Sequence, residues 1–213
     1  MRKKIQRNAV TDHFREYSSI YMFVIVLFMM GVIFGAVVVN SLTFVQKEDL
    51  YFYLSQFFGQ LAGGQMADAK ELFNQSFFHN SQFVGLMWIL GISVIGLPLI
   101  LILLFLKGMV VGFTVGFLVN QMGWKGFLLS SMSILPQNFI IIPIYLMTAA
   151  LAITISLKMI RRQFLKKVRE PILPLFKRYF LYFVAALLLL LAAAGIEAYV
   201  SPGMMKFVIT SIK

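Results

Sequence analysis

The 213-residue chain is 60% hydrophobic and 13% charged, with a mean hydropathy of +0.87, whereas a soluble domain runs about 45–50% apolar and about 25% charged. One core of this length cannot hide the surplus, so an ordinary soluble globule is excluded and the bilayer becomes the solvent. The formal charge of +11 would suit a nucleic-acid binder, but five Lys/Arg precede Phe23 and eight fall between Lys158 and Arg178, flanking apolar runs in the way that orients a membrane protein.

Taken in order, nothing is charged between Glu16 and Lys47, and 20–39 forms the first expected span, because a bilayer core of about 30 Å needs roughly 20 apolar residues. Its basic leader resembles a signal-peptide start, but the apolar stretch exceeds a signal core and no clear A-x-A site follows, which predicts an uncleaved anchor. A second span is expected at 83–106, ending at Lys107, and a shorter third at 108–122. Lys125 and Lys158 then bracket 32 uncharged residues, about 48 Å as one helix and too long for a single untilted crossing. Charge decides how often this segment crosses. With the amino terminus inside and one crossing, 14 Lys/Arg lie inside and 5 outside, whereas two crossings give 8 against 11, which opposes the positive-inside tendency.

Pro136-Gln137-Asn138 offers a home for the excess length, since proline removes a backbone donor and two amides at this depth need partners. The sequence predicts a broken or re-entrant segment at 126–138 followed by a span at 139–157 kinked at Pro143, with one long kinked helix as the alternative. A fifth span at 179–200 puts the carboxyl terminus outside. The expectation is therefore an all-α, polytopic membrane protein, one integral-membrane domain over 1–213 with five transmembrane helices.

The outer loop, 40–82, holds Glu48, Asp49, Asp68 and Glu71. Leu50, Tyr53, Leu54, Phe57, Phe58 and Leu61 recur at helical spacing, and Ala69, Leu72, Phe73 and Phe77 do so again after Gly63-Gly64, which predicts two short amphipathic helices around a glycine hinge. Their aromatic faces suit the membrane surface, intramolecular packing or a docked partner. The inner linker, 158–178, is strongly basic and fits anionic lipid. Nothing else in the chain supports nucleic-acid binding.

Gly108, Gly112 and Gly116 stand four apart, as do Gly31 and Gly35. Such small-residue faces let backbones approach closely in lipid, within one chain or between copies in a homo-oligomer. Chemistry is sparse. There is no cysteine, no H-E-x-x-H, no G-x-S-x-G, no phosphate-binding GxxxxGK and no carboxylate pair in the spans, so no cofactor or metal is implied and the sequence argues against an enzyme. Glu197 alone comes near membrane depth, and is placed within about one turn of the outer boundary.

Five spans, an aromatic outer loop after the first, GMVVGFTVGF at 108–117 and LPQNFIIIP at 135–143 make the chain resemble the stage II sporulation protein M family of endospore-forming bacteria. The wider family commonly carries P-H-G-x-x-E followed by Pro two residues on. Pro136 and Pro143 match its prolines, while Gln137, Asn138 and Ile141 stand where its His, Gly and Glu would be, so ion or proton chemistry is not carried over. The resemblance implies a role in engulfment at the mother-cell septal and engulfing membrane. It also implies two partners, the wall hydrolases protein P (amidase and endopeptidase) and protein D (lytic transglycosylase). The expected function is a non-enzymatic scaffold that anchors these enzymes for septal peptidoglycan remodelling. The alternative is a transporter or channel component whose polar intramembrane site is the helix break.

Overall fold

Long uncharged runs in lipid must satisfy their backbone internally, and helices do so within one segment. The computed structural model describes residues 18–62, 68–93, 95–165 and 172–204, all helix and short turns with no strand among them. The helices are α1 (Ser18–Ser41), α2 (Phe44–Ala62), α3 (Ala69–Gly91), α4 (Gly96–Leu165) and α5 (Ile172–Gly195), the last running into a π turn at Ile196–Val200. Among the described residues three stretches are long and apolar enough to cross a membrane: Ser18–Ser41, Gly96–Arg161 and Tyr179–Met204.

α2 opens on a reciprocal cap. The Thr43 amide donates to Gln46 Oε1 at 3.0 Å and the Gln46 amide donates to Thr43 Oγ1 at 3.4 Å, the S/T-x-x-E/Q box that starts a new helix just beyond α1. Asp68 caps α3, accepting from the Lys70 amide at 3.4 Å. From there α3 continues to Gly91, so the second amphipathic helix expected in the outer loop is the beginning of a longer helix. No proline interrupts 69–91, and its buried stripe of Ser76, Asn80, Val84, Met87 and Gly91 keeps one face inward at helical spacing.

The expected border at Lys107 between spans 83–106 and 108–122 is corrected. α3 ends at Gly91, a turn follows in which the Ser93 amide donates to the Leu90 carbonyl at 3.0 Å, and one helix runs from Gly96 through Lys107. A single lysine does not end a helix, whereas Gly91, Ser93 and Gly96 mark the turn that does.

The expected break at 126–138 is also corrected. The backbone is helical through Pro136, Gln137 and Asn138, and the non-helical residue inside α4 is Gly123 (φ 58°, ψ −132°). Only glycine adopts those angles without strain, so α4 turns there and divides into a first arm, 96–122, and a second, 124–165. Proline in a helix kinks it when surrounding packing holds the chain on. Ile141, Ile144 and Tyr145, just beyond Pro136, are all buried in the core.

Direction follows from contacts. Gly31 lies against Phe105 and Met109, Gly35 against Met109 and Phe113, and Gly116 against Ala36, so α1 and the first arm run parallel. Asn80 meets Tyr145 while Ser93 meets Ser156, which aligns α3 with the second arm. Tyr179 meets Trp88 and Glu197 meets Ser76, making α5 antiparallel to α3. The core of Val24, Phe28, Val84, Met87, Ile100, Leu104, Tyr145 and Leu190 draws on all of these helices.

Candidate functional site: a charged polar cluster within the bundle

The seam between α1 and the first arm of α4 is built of glycine on both sides. A Cβ placed at Gly31 or Gly35 would collide with backbone of the first arm, and one at Gly108 or Gly112 with the carbonyls of Phe28 and Val32. At Gly116 it would lie 3.0 Å from the Ala36 Cα. Such backbone-to-backbone approach gives dispersion contact where lipid supplies no hydrophobic drive. Near one end of the seam Asn120 donates to Asn40 Oδ1 at 3.4 Å.

At 137–138 the two amides do separate jobs. Asn138 donates back to the Ile134 carbonyl at 2.8 Å, and Gln137 Oε1 accepts from Ser201 Oγ at 3.3 Å. Both stand on a continuous helix. Pro136 and Pro143 lie within the same arm.

Of the candidate docking residues, Leu50 and Tyr53 are exposed and Leu54 is partly buried, while the side chains of Phe57, Phe58 and Leu61 lie outside the described residues. α2 makes no substantial contact with the other described helices. Phe44, Phe52 and Tyr53 are all exposed, with Tyr53 at 70%.

A further group of residues was not legible as a site from spacing alone. Ser76 and Asn80 lie one turn apart on the buried face of α3 and are only 7% exposed each. Asn80 Nδ2 donates to the Ser76 carbonyl at 2.9 Å and to Ser76 Oγ at 3.4 Å. Tyr145, fully buried, donates from its hydroxyl to Asn80 Oδ1. Ser76 Oγ donates to Glu197 Oε2. Lys107 Nζ sits 5.0 Å from the Tyr145 ring centre and 5.4 Å from that of Phe83, within reach of a cation–π attraction.

Glu197 is thus engaged with another helix and not only placed near the end of its own. Helix continues past it to Met204, and its carboxylate points at α3. Lys107 is not a flank either, lying eleven residues inside its helix. An ionisable side chain drawn into a bundle is costly unless it finds partners, and here Lys107 meets two rings while Glu197 accepts from a hydroxyl. A π turn, the element that carries Glu197, is frequent at functional positions. The available signal was a lone charge of each sign inside long uncharged runs. Among the described residues no group of His, Cys, Asp and Glu is arranged to hold a metal ion.

A multi-pass, all-helical membrane protein with glycine-packed helices and an internal charged centre is what the fold and site define. The model of the family described as stage II sporulation protein M matches residues 24–202, and the chain belongs to that family. Comparison with curated proteins and with solved structures gives no match.

Proposed function

We propose that this sporulation membrane protein is a non-enzymatic scaffold that crosses the membrane five times, by α1, α3, the two arms of α4 and α5. In this reading α2 lies on the outer side and recruits peptidoglycan-degrading enzymes, the hydrolases protein P and protein D, for septal wall remodelling during engulfment. The amino terminus is cytoplasmic, the carboxyl terminus is outside, and the basic inner linker touches anionic lipid. The observation that carries the reading is α2: an aromatic helix, capped immediately after α1 and left uncovered by the bundle, in a chain of the sporulation family. Aromatic anchors carry a disproportionate share of contact energy. The alternating directions of the helices support five crossings.

The test replaces Phe57 and Phe58 with Ser and follows both hydrolases by fluorescence in sporulating cells. The variant should insert at normal level and lose one or both enzymes from the engulfing membrane. Both enzymes gathering normally in a strain lacking the chain would refute the scaffold. A transporter component is favoured by one observation, the internal polar cluster that runs from Lys107 to Glu197, and it predicts that enzyme localisation survives changes in α2.

A further inference from the structure

We propose that Lys107 and Glu197 act as one charge-balanced unit inside the membrane, joined through Tyr145, Asn80 and Ser76, and that this unit clamps α3 between α4 and the π turn that follows α5. The inference rests on the bilayer reading of the bundle, and not on what α2 recruits.

Three observations carry it. The first is the direction of the hydrogen bonds. Tyr145 donates to Asn80, Asn80 to Ser76, and Ser76 to Glu197, so every donor in the chain points toward the carboxylate. Dipoles aligned in series strengthen one another and favour negative charge at the accepting end. The second lies at the opposite end, where the Tyr145 ring that begins the chain also carries the Lys107 ammonium over its face, with Phe83 beside it. The cation therefore sits at the start of the relay and the anion at its finish, the arrangement that suits the polarity of the bonds between. The third is placement. Lys107 comes from the first arm of α4, Tyr145 from the second, Ser76, Asn80 and Phe83 from α3, and Glu197 from the π turn, so one connected group ties four segments.

A charge pair in a low-dielectric interior is poorly tolerant of losing one member, because the survivor is left buried and uncompensated, whereas removing both charges together is often neutral. That asymmetry distinguishes a coupled unit from two residues that happen to be near each other. The experiment compares the full chain with Lys107→Met, Glu197→Gln and the double variant, each as a fluorescent fusion extracted from membranes in mild detergent. Monodisperse protein is read by size-exclusion chromatography before and after heating. Each single substitution should lower the surviving folded fraction by at least about tenfold, and the double variant should recover to within about twofold of the wild type. The proposal is overturned if both single variants stay within about twofold of the wild type, or if the double variant is no better than the worse single one. Hydrolase localisation, measured on the double variant in sporulating cells, reports separately on the scaffold reading, because a clamp restored without charges should leave α2 and its recruits in place.

Discussion

Gly112 gives the most direct test of how the bundle is held. An ideal Cβ there would approach the Val32 carbonyl carbon to 2.6 Å and the Val32 Cα to 2.8 Å, and the obstacle is backbone, which cannot rotate aside as a side-chain tip can. Gly112→Ala already demands that α1 move outward, and Gly112→Leu adds three more carbons to the same gap. Overpacking costs about 1–3 kcal/mol. The upper end applies here because moving α1 also opens the contacts at Gly108, Gly116, Gly31 and Gly35 along the same seam. At about 1.4 kcal/mol per factor of ten, Gly112→Leu should reduce the folded fraction by more than tenfold near the thermal midpoint, measured as monodisperse protein after heating in detergent. Gly85, which has open space around it, supplies the matched control. Gly85→Ala removes an entropic penalty of about 0.5–1 kcal/mol and should be neutral or mildly stabilising. If Gly112→Leu behaves like Gly85→Ala, α1 does not pack on the first arm of α4 as described and the seam argument fails.

The chain's lack of cysteine makes a crosslink across the same seam clean: Ala36→Cys with Gly116→Cys should form a disulfide on mild oxidation in membranes, and absence of the bond would oppose the parallel arrangement. Single cysteines at Ser55, Lys125 and Ser211 should react with an impermeant thiol reagent and one at Gln163 should not; labelling of Gln163 in intact cells would sink the five-crossing orientation. Gly123→Ala should destabilise by about 1–3 kcal/mol through its φ of 58° alone, read by the same heating assay, since no atom lies within 4 Å of the added carbon. Asn138→Leu should be tolerated, because its amide bonds only to its own helix, whereas Gln137→Leu removes the acceptor of Ser201 and should cost about 1 kcal/mol; equal losses would indicate an opened backbone at 137–138 after all.

What the sequence made legible was set by composition and by small residues. An uncharged run such as 20–39 has one physical solution in lipid, and glycines four apart mark one face whatever packs on it. What escaped were features whose partner lies far along the chain. Pro136 reads as a helix breaker by local chemistry, yet the buried face of Ile141, Ile144 and Tyr145 holds the second arm in register through it. Gly123 has no local sign that separates it from Gly116 or Gly126, and becomes the corner because the arms on either side pack back against one another. Lys107 looked like a span border because lysine is expensive in lipid. Its cost is offset by two rings from positions 83 and 145, and no window of neighbouring residues contains them.

The position of this cluster also bears on the motif that the chain lacks. Where the resembled pattern carries His and Glu, this chain has Gln137 and Ile141, and both fall on the stretch of the second arm that leads to Tyr145. Ile141 is one turn before Tyr145 and joins it in the buried core, while Gln137 is held by Ser201, four residues beyond Glu197. The face that would have presented an ionisable pair is therefore turned to the same interior that Glu197 enters from the π turn and Lys107 from the first arm. An acid at 141 would have stood one helical turn from the phenol that carries the Lys107 ammonium, so a lysine at 107 would have had a second carboxylate to answer. Here the single acid is Glu197 and the apolar Ile141 closes the core instead, which leaves the Lys107–Glu197 unit with one charge of each sign. Introducing the missing acid tests this balance. Ile141→Glu in the native background should lower the folded fraction, as a second carboxylate leaves the centre with net negative charge. The same substitution combined with Glu197→Gln should restore a single cation–anion pair and recover much of the loss in the heating assay. Recovery absent from that combination would mean that Ile141 is required for its packing alone and that the centre does not tally charge across these helices.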